Sequence, residues 1–108
     1  MSEFKELNEV IRLIAEKYPF NEEKYPELKN ANKKEVLKFA IRHSALHFSK
    51  TTGKISAISE DADHGEEINI DELKKQSAKS LINTLRIAEL LNMSGEDLIK
   101  LIEEQYKE

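Results

Sequence analysis

Apolar residues recur along this chain at three- and four-residue intervals, the spacing that lines one face of an α-helix. Little interrupts them. Only 3 Gly and 2 Pro are spread over 108 residues, so the turn chemistry that strand hairpins need is scarce. Phe4, Leu7, Ile11 and Ile14, with Val10 beside them, predict a first helix over residues 2 to about 18. Pro19 stops it, because proline has no N–H to donate and clashes with the preceding turn. Residues 20–31 carry Asn21, Pro26 and Asn30 with the aromatics Phe20 and Tyr25, and read as a connector with one short helical turn around Glu27 and Leu28.

Three capping signals follow. Asn32 with Glu35 at the third helical position is a capping box and opens a second helix, through Val36, Leu37, Phe39, Ile41, Phe48 and Ile55 to about residue 58. Gly53 inside it marks either a close helix contact or a break. Residues 60–67 read as an acidic loop. Asn69 with Glu72 opens a third helix to about residue 92, striped by Leu73, Ala78, Leu81, Ile82, Leu85, Ala88 and Leu91. Ser94 with Asp97 opens a fourth, through Leu98, Ile99, Leu101 and Ile102. Short connections favour antiparallel neighbours, so the expected fold is an all-α, up-down four-helix bundle. It is expected to be a single domain, 1–108, in which residues 1–31 give the first helix and connector and 32–108 a three-helix core.

Composition excludes several classes of function. No apolar run reaches the roughly 18 residues of a membrane span. The first residues, Met1 to Glu6, are acidic and amphipathic, unlike a secretory signal. Cysteine is absent, which removes disulfides, thiolate metal sites and cysteine nucleophiles, and the expected location is cytoplasmic. A formal charge of −4 argues against a general nucleic-acid binder. The charge is segregated: residues 29–54 hold seven Lys/Arg and one acid, Glu35, whereas residues 60–72 hold seven acids and no Lys/Arg. These faces either attract one another, within the chain or between copies, or define a basic site.

His43, His47, Lys50 and Lys54 fall at offsets of 4, 7 and 11, one polar stripe running alongside the apolar stripe of the second helix. A stripe at the edge of the core is where a cleft forms. Two histidines one turn apart can share a metal ion, and Asp63 and His64 are candidates to swing in from the following loop. Imidazole with carboxylate suits a transition metal. The competing reading is a pair of hydrogen-bonded structural histidines, and Lys50 one turn away would oppose a cation. No glycine-rich phosphate loop, nucleophile elbow or positioned carboxylate pair is present, so no catalytic residue is assigned.

The third helix, Lys79 through Leu85-Arg86-Ile87-Ala88 to Ser94, resembles a helix of the MazG-like all-alpha nucleoside triphosphate pyrophosphohydrolases, which carries an "LRLA" segment before a short turn and a last helix. Gly53-Lys54-Ile55-Ser56-Ala57-Ile58 is similar to that family's "GELAEAI" stretch. The likeness covers residues from about 36 to 104. It implies a helical bundle assembled as a homo-oligomer, whose relatives cleave the α–β bond of nucleotides with Mg²⁺ held by an E-E-x-x-E and an E-x-x-D motif on facing helices. Aligned on Gly53 and on Leu85 to Ala88, the first motif falls on Lys50 to Lys54 and the second on Gln76 and Lys79, with 21 residues between. No acidic ligand survives and three positions are lysine, so Mg²⁺ is not expected there.

The expected binding set is instead Lys50, Lys54, Gln76, Lys79 and Asn83, holding an anion such as a nucleotide or another phosphorylated small molecule, with Arg86 as a further donor. Two alternatives stand beside it. One is a pyrophosphohydrolase whose metal site has moved to His43, His47, Asp63 and His64; the other is a non-catalytic dimerising domain. Val36, Phe39, Ile87 and Leu90 sit off the main stripes and are candidates for a symmetric interface, unless the connector covers them.

Overall fold

A computed structural model describes residues 4–107. Four α-helices account for most of them: α1 (Lys5–Lys17), α2 (Lys33–Asp63), α3 (Ile70–Leu90) and α4 (Gly95–Glu104), with a single 3₁₀ turn at Pro26–Leu28 in the connector. Helix α1 ends before Pro19 as expected, its last turn closed by the Tyr18 N–H donating to the Ile14 carbonyl at 2.9 Å. Its expected start at residue 2 lies outside the described residues.

The three caps form. Asn32 Oδ1 accepts from the Glu35 N–H at 2.9 Å while Glu35 accepts from the Asn32 N–H. Asn69 Oδ1 accepts from the Glu72 N–H at 3.2 Å. Ser94 and Asp97 cap α4 reciprocally: the Asp97 N–H donates to Ser94 Oγ, while donation from the Ser94 N–H, and then from its side chain, holds the Asp97 carboxyl below its ordinary range.

Helix α2 differs from expectation. It continues in register through Glu60 and Asp61 to Asp63, so the first half of the expected acidic loop is helix. The stop is Gly65 at φ +94°, a conformation side chains resist: its N–H donates to the Ala62 carbonyl, and the Glu66 N–H reaches back to Asp61. Asn92, at φ 58°, does the same for α3, with the Met93 N–H donating to the Ala88 carbonyl at 2.9 Å. Gly53 is neither a break nor a close contact, since a Cβ there would have no atom within 4 Å.

Helix α3 is the central element, packed mainly against α2 and α1, with α4 against α1. The apolar core joins Ile11 and Ile14 of α1 to Leu85 of α3, with Leu7, Ile82 and Leu98 around them. The contact between α2 and α3 is different in kind. Its buried side chains are Ala40, Ser44 and Thr51 on one side and Gln76, Asn83 and Arg86 on the other. This polar seam positions the site. No described helix is long and apolar enough to cross a membrane.

Candidate functional site

A cleft of about 370 Å³ opens along the polar seam. From α2 come His43, His47, Lys50, Thr51 and Lys54, at intervals that keep them on one face of a straight helix. From α3, running the opposite way, come Gln76, Lys79, Ile82, Asn83 and Arg86. Tyr18 and Tyr25 close the end nearest His43 and Arg86. All five residues expected to bind an anion, Lys50, Lys54, Gln76, Lys79 and Asn83, therefore line one cavity.

The walls carry the formal cations Lys50, Lys54, Lys79 and Arg86 and no carboxylate. Among the described residues the ion pair formed is Arg12–Glu16 at 2.8 Å, on α1, and none ties down these lysines. Of the acidic stretch expected as their intramolecular partner, Glu60, Asp61 and Asp63 are fixed on the last turns of α2. Four cations on walls without a carboxylate give a positive cleft, and Glu72, one turn before Gln76 on α3, is engaged by Gln76 at 2.8 Å.

Arg86 is only 7% exposed. Its Nε donates to the Tyr18 carbonyl at 3.1 Å, one guanidinium nitrogen approaches the Tyr25 hydroxyl at 3.4 Å, and the guanidinium carbon sits 3.8 Å from the centre of the Phe20 ring. The aromatic face and the carbonyl together satisfy a buried cation that has no carboxylate. Phe20 stacks on Tyr25 with centroids 5.5 Å apart, and Phe39 packs 5.1 Å from Tyr25, so the connector folds back onto α2. Phe39 is accordingly covered in part by the connector's rings and stays half-buried, lining an open groove with Ile41 and Arg42.

His43 belongs to the same cluster. Its ring lies 5.1 Å from Tyr25 and 4.5 Å from His47, and its Nε2 is 3.4 Å from the Tyr25 hydroxyl. Burial, then His47, then Arg86 disfavour its charged form and lower its pKa, while Glu27 opposes them.

Deeper in the seam, Gln76 Nε2 donates to Glu72 Oε1 at 2.8 Å and Asn83 Nδ2 to the Lys79 carbonyl at 3.2 Å. Gln76 Oε1 and Ser44 Oγ are buried without a hydrogen-bond partner among the described residues. These acceptors make the seam a costly place to keep polar side chains for packing alone.

The four histidine and aspartate candidates for a metal are not gathered. Asp63 and His64 lie 16 and 17 residues beyond His47 along the same helix and its cap, about 24 Å away at 1.5 Å per residue. The expected swing of a loop is prevented because that stretch of chain is helix. Among the described residues no group of three or more His, Asp or Glu is arranged to hold a metal ion. Nor does the cleft suit Mg²⁺, which needs hard anionic oxygen ligands: its lining holds Lys50, Lys54, Lys79 and Arg86 and no carboxylate.

Tyr18, Tyr25 and Thr51 are lining residues that spacing alone did not single out. The signal for the tyrosines was their place outside the helical stripes, Tyr18 directly before Pro19 and Tyr25 directly before Pro26. No family model matches the chain, no curated protein matches it, and no solved structure matches it.

Proposed function

We propose that this chain is a divergent MazG-like protein that binds a phosphorylated small molecule, a nucleotide or a related phosphoester, in the cleft between α2 and α3, without Mg²⁺-dependent hydrolysis. One observation carries the reading: Lys50, Lys54, Lys79 and Arg86 converge on a single cavity whose lining includes no carboxylate. The cavity's size falls within the range of small-ligand pockets. A phosphoryl group supplies the negative charge these walls lack, and the lysine ammoniums replace the divalent ion that acidic relatives would need.

Assembly as a homo-oligomer belongs to the same reading, and the apolar surface supports it. Leu46 is 67% exposed, and Leu13 and Leu81 are each 53% exposed. Val36 and Leu90 line an open groove with Leu37. A chain without cysteine suits the reducing cytoplasm.

A thermal-shift panel of inorganic phosphate, pyrophosphate and nucleoside mono-, di- and triphosphates, each with EDTA or with Mg²⁺, tests this directly. Stabilisation by the polyanions in EDTA, shrinking as salt rises, is expected, with no pyrophosphate released in either arm. Pyrophosphate release that requires Mg²⁺ would overturn it.

A further inference from the structure

The hydrogen bonds around Tyr25 have a direction. Arginine only donates, so the Tyr25 oxygen accepts from Arg86, and the single hydroxyl proton is left for His43 Nε2. His43 Nε2 is then bare, and the neutral ring carries its proton on Nδ1. Every charged or titratable neighbour of this ring fits that state except one: Arg86 from α3 and His47 from α2 oppose a charge on it, Tyr25 from the connector donates to it, and only Glu27 of the connector favours its protonation. Tyr25, His43 and His47 all line the same cleft as the lysines. His43 thus stands at the anion site as a reserve of positive charge, unused while the cleft holds no anion.

We propose that His43 and Tyr25 are part of the anion-binding set: entry of a tetrahedral dianion brings a proton onto His43 Nε2, reverses the Tyr25–His43 hydrogen bond, and frees the Tyr25 O–H to donate to the anion. This rests on the reading of the cleft as an anion site and names the charge state it selects. The proton comes from water and stays on His43. Tyr25 keeps its own, turned from the imidazole to the ligand, and its oxygen then accepts from both Arg86 and His43. No bond between heavy atoms changes. The driving force is the incoming charge, which offsets the burial of the ring and the repulsion from His47 and Arg86 that together disfavour the charged imidazole. A monoanion supplies half of that charge, so the site discriminates in favour of dianionic phosphoryl-type groups over carboxylates.

Sulfate is the suitable probe, because it remains a dianion across the whole range in which histidine titrates. Calorimetric titration of sulfate into the full chain at about pH 6 and about pH 8, in two buffers of different ionisation enthalpy, reads affinity and proton uptake together. Affinity is expected to be about tenfold higher at the lower pH, with uptake approaching one proton near neutrality. Long-range proton–nitrogen correlation spectra are expected to show His43 protonated on Nδ1 alone in the free protein and on both nitrogens with sulfate bound. His43→Gln is expected to bind sulfate with an affinity that no longer depends on pH. Equal affinity at both pH values without proton uptake overturns the proposal and leaves the anion site intact, as does uptake that persists in His43→Gln. Absence of sulfate binding at either pH overturns the anion site itself, and this proposal with it.

Discussion

Arg86 shows how much of this site depends on single side chains. Its guanidinium ties α3 to the Tyr18 carbonyl, to the Tyr25 hydroxyl and to the Phe20 ring, groups 61 to 68 residues away in sequence. Replacing it with Met removes the charge and strands a buried carbonyl. The expected cost is about 2–4 kcal/mol, read from urea unfolding, with loss of anion-induced stabilisation. A variant as stable as the wild type would show that the aromatic cluster holds without it. His43 sets a pH dependence of stability. Because its folded pKa is depressed, its contribution is complete above the ordinary histidine value and is lost as pH falls through the lower folded value. The melting temperature in a buffer free of sulfate and phosphate is therefore expected to fall from about pH 7.5 to about pH 5.5, and His43→Gln to flatten that fall. An unchanged slope in the variant would place the dependence elsewhere. Spacing placed Lys50 and Lys54 on one stripe of α2, and only the resemblance to a known family pointed to Gln76, Lys79 and, beside them, Asn83 on α3. The aromatic partners of Arg86 and His43 come from a connector without periodicity.

At the scale of the helices, capping chemistry was legible and helix length was not. The side-chain oxygens of Asn32, Asn69 and Ser94 start their helices where their spacing to Glu35, Glu72 and Asp97 indicated. Helix α2 outruns its expected end because its apolar stripe fades after Ile58 while the helix runs on to the first residue able to adopt a positive φ with ease, Gly65. Those additional residues remove Asp63 and His64 from the histidine pair and fix Glu60 and Asp61 on the helix beyond Lys54. The glycines provide a contrast. Gly53→Ala adds a Cβ in open space on an exposed helical surface and is expected to stabilise the protein by about 0.5–1 kcal/mol. Gly95→Ala places a Cβ 3.1 Å from Leu7 and Asn8, where the Gly95 N–H donates to Asn8 Oδ1 at 2.7 Å, and is expected to destabilise it by about 1–2 kcal/mol. Thermal unfolding of the two variants side by side checks both signs; a stabilising Gly95→Ala would mean that α4 is not held against α1 as described.

At the scale of the molecule, the buried apolar residues among those described are few: Ile11, Ile14, Leu28, Ala40, Leu85 and Ala88. The radius of gyration is 16.7 Å, against about 13 Å for a compact chain of this length. A 31-residue α2, about 46 Å long, accounts for part of that extension. Apolar periodicity predicted the helices, but it does not say which stripes meet inside one chain and which wait for another. A second copy is the covering that the homo-oligomeric reading supplies, and light scattering after size exclusion is expected to give at least twice the chain mass, with Leu46→Lys shifting it toward monomer. A monomer at micromolar concentration would contradict that assembly.

The cleft's sign of charge decides the rest. Titration of pyrophosphate in EDTA into wild type and into the Lys50→Glu, Lys79→Glu double variant tests it most directly. Saturable binding to wild type, lost in the variant and not improved by Mg²⁺, is the expected result; binding only when Mg²⁺ is present, or retained in the variant, would contradict it.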